Sequence, residues 1–173
     1  MMGRFLRRFA RNQSGASATE FAMLLPVLMV VLLASLTAFD MFRTAQNVEK
    51  STFTIGDMLA REKGALNATK LNNVLLLLRH TVPSAKDGGL RISSIARVVG
   101  KFVVRWSRSV GLSVPTTPLV LGTLPEIADG DSVLLTESFV PHEAIVSGFG
   151  IGDVTFSAQA AYRPRFVSAI AFQ

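Results

Sequence analysis

Gly15-Ala16-Ser17-Ala18-Thr19-Glu20-Phe21 opens a stretch that carries no further charge until Asp40. From Phe21 to Phe39 there are 19 residues without an ionisable group. A helix of that length covers ~28 Å, close to the hydrocarbon thickness of a bilayer. Upstream, Arg4, Arg7, Arg8 and Arg11 stand with no acidic residue before Glu20. A basic flank of this kind is held on the cytoplasmic side, so the segment reads as a processing site followed by a membrane anchor, N-terminus in and C-terminus out.

Glu20 demands an explanation, because a carboxylate deep in a bilayer costs roughly 2.5 kcal/mol or more. If the chain is cut after Gly15, Ala16 becomes the new N-terminus and Glu20 the fifth mature residue, one helical turn away. The fresh amine and the carboxylate can then neutralise each other, either within one chain at i and i+4 or between neighbouring subunits whose helices are offset. The second arrangement would make Glu20 and Ala16 a register device for assembly.

A short basic leader ending in glycine, a Glu five residues later, an aromatic residue and an apolar helix resemble the type IV prepilin class. More narrowly, Gly15 followed by Ala18-Thr19-Glu20-Phe21-Ala22-Met23-Leu24-Leu25-Pro26 resembles the TadE-like pseudopilins of the tight-adherence (Flp-type) pilus. The match covers Gly15 to Asp40, and Thr19 departs from the apolar residue expected there. The resemblance implies a minor pilin-like component in pilus biogenesis, processed by a prepilin peptidase with Gly15, Ala16, Glu20 and Phe21 as processing residues. Its implied partners are that peptidase, other pilin or pseudopilin subunits, the pilus assembly machinery and inner-membrane lipid. Gly15 would be the specificity residue, since a side chain there would fill the space the peptidase needs at the scissile bond.

Three other readings apply to the same residues. A secretory signal peptide usually has a shorter apolar core and a small-x-small site, which Leu36-Thr37-Ala38 fits poorly. Arg7-Arg8 forms a twin-arginine pair, but the continuation Phe9-Ala10-Arg11 does not extend such a signal. An uncleaved anchor with Glu20 reaching the interface would instead tether a periplasmic binding module for an envelope protein or polysaccharide.

At 173 residues and 49% hydrophobic content, the chain leaves enough beyond the anchor for one modest folded domain. Removing the four leader arginines takes the formal net charge from +6 to +2, so the mature chain is only mildly basic. No cysteine is present, which rules out disulfides and thiol-held metal. The expected divisions are a leader at 1–15, an anchor at 16–39, an extracytoplasmic helical stem at 40–82 and a sheet domain at 83–173.

Past Asp40, the residues Met41, Ala45, Val48, Thr52, Ile55 and Leu59 recur at helical steps, predicting that the membrane helix continues outward. Gly64 should break it. A second helix, capped by Asn67 or Thr69, runs through Leu71, Val74, Leu75 and Leu78 and must stop before Pro83. After a flexible turn at Lys86-Asp87-Gly88-Gly89 the period changes to alternation. Leu90, Ile92, Ala96 and Val98 form one run, and Phe102, Val104 and Trp106 a second, together a hairpin. A Pro-rich interval from Gly111 to Asp129 reads as an exposed connection, Ser132 to Val140 as a third strand, and Val154 to Tyr162 as a fourth. The predicted fold is α+β: a long N-terminal helix, transmembrane and continuing into the periplasm, then a small antiparallel sheet of about four strands with one face under the helix.

Little in the chain points to catalysis, and no cofactor is expected. His142-Glu143 begins like a zinc-protease motif, but Val146 stands where the second histidine belongs, leaving an exposed loop pair. Gly148-Phe149-Gly150-Ile151-Gly152 lacks dinucleotide spacing and reads as a mobile turn. No Gly-x-Ser-x-Gly elbow marks a nucleophile. Arg91, Arg97, Lys101, Arg105 and Arg108 make a basic stretch with only Trp106 suited to base stacking, so a solvated face is expected and nucleic acid is not. The protein is therefore read as structural, not as an enzyme.

Overall fold

Between Gly15 and Ala60 only Pro26 opposes a helix, and it can remove no more than one backbone hydrogen bond there. The computed structural model, which describes residues 14–119, 124–146 and 152–173, carries one unbroken helix, α1, through Ser14–Ala60. Its 47 residues correspond to a rod of ~70 Å. Val48, Thr52, Ile55 and Leu59 are buried along one stripe, with Met41 and Ala45 half-buried below them, as the helical spacing predicts. Asp57 lies beside the stripe, held by Arg61 at 2.9 Å and by Arg165 from the C-terminal segment. The Arg61 hydrogen bond outweighs desolvation and, with the charge of Arg165, holds the Asp57 carboxyl below its usual range.

The break after Ala60 spans Gly64, and α2 follows at Ala68–Thr81. Asn67 is its N-cap, accepting from the Lys70 amide at 2.9 Å. Val82 N–H closes the far end on Leu78 O, directly before Pro83. Leu71, Val74, Leu75 and Leu78 are buried against the sheet and α1.

Strands β1 (Gly89–Val98), β2 (Lys101–Gly111), β3 (Ser132–His142) and β4 (Val154–Tyr162) form one antiparallel sheet in the order β2-β1-β3-β4. α1 packs across β3 and β4, while α2 and the C-terminal segment cover the β1–β2 side. Trp106 Nε1 donates to Ile170 O at 2.9 Å, and its ring leans on Phe172. These contacts close the main core around Ile55, Leu59, Leu78, Leu90, Ile92 and Leu134.

Five expectations need correction. Lys86-Asp87-Gly88-Gly89 is no flexible turn: a 3-10 turn covers Ala85–Asp87, both glycines are buried, and a Cβ on Gly89 would collide with Leu112 O. Phe102, Val104 and Trp106 do not share a face. The register steps from Ser94↔Trp106 to Ile95↔Val104, so Arg105 is an extra residue that flips Trp106 to the helix side while Phe102 stays opposite.

The Pro-rich interval is also not simply exposed. Leu119, Leu124 and Ile127 pack with Ile95, Val133 and Leu135 into a second cluster on the sheet face away from the helices. Arg91 fastens this covering: it pairs with Glu137 at 2.6 Å and donates to Thr117 O at 2.7 Å. That contact breaks up the expected basic face as well. Arg91 is buried, its charge further stabilised by the Glu137 hydrogen bond, Arg97 binds Glu126 and Ile127 O, and Arg108 stacks over Phe172. Finally, β3 runs on through Pro141 to His142, so His142 is a buried strand end rather than part of an exposed loop. Proline is tolerated because β1 pairing ends at Gly89↔Phe139, leaving one side of β3 as a margin beyond it. The Gly148–Gly152 turn lies almost wholly outside the described residues.

The β1–β2 hairpin turns through Val99 and Gly100, both at positive φ (50° and 73°). A β-branched residue in the left-handed region is strained, and turns of this type favour Asn-Gly. Val99→Asn is expected to raise the unfolding free energy of the detergent-solubilised chain by about 1 kcal/mol in thermal melts. In the same assay, Glu137→Ala should cost about 3–5 kcal/mol by leaving Arg91 buried and unpaired, whereas the Arg91→Met, Glu137→Leu double variant should recover most of that loss.

Candidate functional site

The start of α1 is not covered by the folded part of the chain, and burial sets in only at Leu33, Ala34 and Thr37. Every described side chain from Ala18 to Leu32 is exposed, including Phe21 at 59%, Met23 at 81% and Val27 at 61%. From Phe21 to Leu32 the helix is apolar all round, whereas Thr37 is already buried and from Thr44 onward the helix is amphipathic and docked. An amphipathic helix belongs on a folded core; one that is apolar on every side belongs in a membrane or a helical bundle. It is therefore a candidate membrane anchor by length and composition. Ser35 and Thr37 donate their hydroxyls back to Val31 O and Leu33 O at 2.7 and 2.9 Å, so neither brings an unsatisfied donor into the apolar segment.

Gly15, Ala16, Glu20 and Phe21 all lie in the first two turns of α1. Gly15 is exposed, and a Cβ on it would meet nothing within 4 Å. The fold itself thus places no demand on a glycine there, where it weakens a helix by ~1 kcal/mol relative to alanine. Ala16 and Glu20 stand one turn apart at i and i+4, and the Glu20 side chain is exposed. In the uncut chain the Ala16 nitrogen is an ordinary peptide nitrogen, so the helix brings the two positions together without yet supplying an amine. Arg4, Arg7, Arg8 and Arg11 lie outside the described residues.

Where the bare segment ends, the structure holds a contact that sequence reasoning missed. His142, 6% exposed at the end of β3, brings Nε2 to 3.2 Å from Asp40 Oδ2. The two are within ion-pair range but off the hydrogen-bond line, and neither ring nitrogen of His142 has an aligned partner among the described residues. Its ring packs on Phe156 of β4 at 5.6 Å between centroids. Asp40 was legible only as the end of the apolar run. That it also meets the sheet at that level needed β3 to continue past Pro141.

Among the described residues no group of three or more His, Asp or Glu side chains is placed to hold a metal ion. The depressions on the described surface are shallow and open. One lies between α1 and α2 at Asn47, Ser51 and Thr81, and the others flank β4.

Asp40→Ala should destabilise the folded part by about 1–3 kcal/mol in thermal melts, since it leaves His142 buried beside no carboxylate. Adding His142→Phe, which keeps the ring contact with Phe156 and removes both nitrogens, should bring the double variant back toward wild type.

No curated protein and no solved structure matches the chain. Residues 15–53, from the exposed glycine through the bare helix into the docked stem, match the family model described as TadE-like protein, which is consistent with a TadE-like pilus-system protein.

Proposed function

We propose that this chain is a pseudopilin-type structural subunit of a tight-adherence pilus system, without catalytic activity of its own. Its anchor, 16–39, would sit in the inner membrane with the leader, 1–15, in the cytoplasm. The stem (40–82) and sheet domain (83–173) would lie in the periplasm. The observation that carries this reading is the bare, uniformly apolar stretch of α1 from Phe21 to Leu32, directly behind an exposed Gly15 and Glu20, within the segment similar to TadE-like proteins.

Physical chemistry supports the assignment. Covering a fully exposed Leu, Val, Met or Phe is worth about 1.5–3 kcal/mol per side chain, so this segment must be covered either by lipid or by other helices. Both suit a pilin-like life cycle, in which the helix is stored in the bilayer and then moved into a bundle where protein replaces lipid. A prepilin peptidase acting after Gly15 explains a glycine that the fold does not require. Cleavage would also create the Ala16 amine one turn from Glu20, offsetting the cost of that carboxylate at the bilayer edge. Other pilin or pseudopilin subunits and the assembly machinery are the partners this scheme calls for.

The intact mass of the membrane-extracted protein, expressed with and without a tight-adherence prepilin peptidase, tests the reading. The expected result is a mature chain beginning at Ala16 only when the peptidase is present, blocked by Gly15→Leu. Glu20→Ala should still be cleaved but fail to enter pilus assemblies. Full-length chain under every condition would overturn processing and favour an uncleaved, membrane-tethered binding module.

A further inference from the structure

Among the described residues the sheet has two open ends, β2 and β4, and they differ in character. β2 carries Lys101, Arg105 and Arg108, and Val103 and Val104 are exposed on it at 46% and 38%. β4 has no charged residue from Val154 to Tyr162 and no proline. Edge strands are ordinarily protected by charge, proline or a covering element. β4 uses neither of the first two, and α1 lies across its face. Between α1 and the outer side of β4 runs a groove lined by Ala45, Glu49, Phe156, Ser157, Ala158 and Gln159. Glu49 is exposed and has no ion-pair partner among the described residues, and the same is true of Lys101 and Arg105.

The direction of each strand relative to α1 can be read from contacts. Ala45 borders Phe156, and eleven residues further along the helix Gly56 abuts Ala160 and Tyr162, so β4 runs with α1. Asp40 meets His142 while Thr52 meets Ser138, so β3 runs against it. Antiparallel pairing then makes β1 run with α1 and β2 against it. Two copies anchored in one membrane share the direction of α1. Side by side, β4 of one copy and β2 of the next would therefore be antiparallel.

The alternatives are disfavoured by the same facts. Two β2 edges would oppose cations to cations. Two β4 edges in equally oriented copies would have to pair in parallel, with their helices on opposite sheet faces.

We propose that copies of this chain associate through their sheets, the uncharged β4 edge of one copy receiving the basic β2 edge of the next as an added antiparallel strand beside Glu49. The proposal rests on the membrane-anchored reading above, since the anchor is what gives all copies one orientation. The contact is heterologous: each copy offers one edge and uses the other, so the association repeats rather than closing at a dimer. On this account Lys101 and Arg105 do two jobs, keeping β2 from its own kind and steering it to the acidic side of β4.

The chain has no native cysteine, so site-directed cross-linking is direct. Two differently tagged copies would be co-expressed in membranes, one carrying Ser157→Cys and the other Ser109→Cys or Val104→Cys, all exposed positions on the same sheet face. After mild oxidation the mixed pairing is expected to give a disulfide-linked dimer holding both tags. Each variant alone should give none, and Glu49→Lys should abolish the mixed band. A dimer from Ser157→Cys alone, no dimer in any pairing, or a bond to a different protein would each overturn the proposal. Membrane fractionation and the N-terminal mass of the same samples report anchoring and processing separately, so a failed sheet contact is distinguishable from a failed anchor.

Discussion

A single helix serving two environments is the constraint on which the rest of the structure depends. α1 is continuous from Ser14 to Ala60, yet its first half has to be apolar on every side and its second half on one stripe only. The first charged residue after Glu20 is Asp40, and the fold begins about a turn before it, where Thr37 is already buried. His142 of β3 reaches Asp40, Phe156 of β4 packs on His142, and one turn further up Thr44 and Val48 are already buried. Because no break separates the candidate anchor from the docked stretch of α1, the sheet is rigidly referred to the axis of that segment. Whatever positions the anchor also positions both edges of the sheet.

The apolar run and the stripe behind it were legible in the sequence because each is a long periodic signal. The four strands and the β1–β2 hairpin were legible for the same reason, as was the Asn67 cap, which combines a local hydrogen-bond preference with the start of a helical period. Non-local facts were not legible. The extra residue at Arg105 inverts half of β2 and can be seen only in the register with β1. The burial of Ile127 and the anchoring of the Pro-rich connection follow from Arg91 reaching across to Glu137 and Thr117, a pairing with no signature in either local stretch. Arg91 looked like surface because an isolated arginine in an alternating run usually is.

The residues proposed for processing stand differently. Gly15, Ala16, Glu20 and Phe21 were singled out by pattern, and the fold supplies only context: Gly15, Glu20 and Phe21 are exposed, and packing does not require a glycine at position 15. A position conserved for packing leaves evidence in its neighbours; a position that serves an enzyme or a second subunit leaves open space. Charge follows the same division. In the folded part most acidic groups hold a basic partner, as Asp57, Glu62, Asp131 and Glu137 do, whereas Glu20 and Glu49 face outward where assembly would occur.

The most direct test of the two-environment helix is a cysteine scan along α1 in this cysteine-free chain, read by a membrane-impermeant thiol reagent applied to the outer side of the inner membrane. Protection of Val27→Cys, Val31→Cys and Leu36→Cys together with labelling of Glu49→Cys and Phe53→Cys is the predicted result. Labelling within residues 27–36, or protection that continues through Phe53, would contradict a helix divided at Asp40.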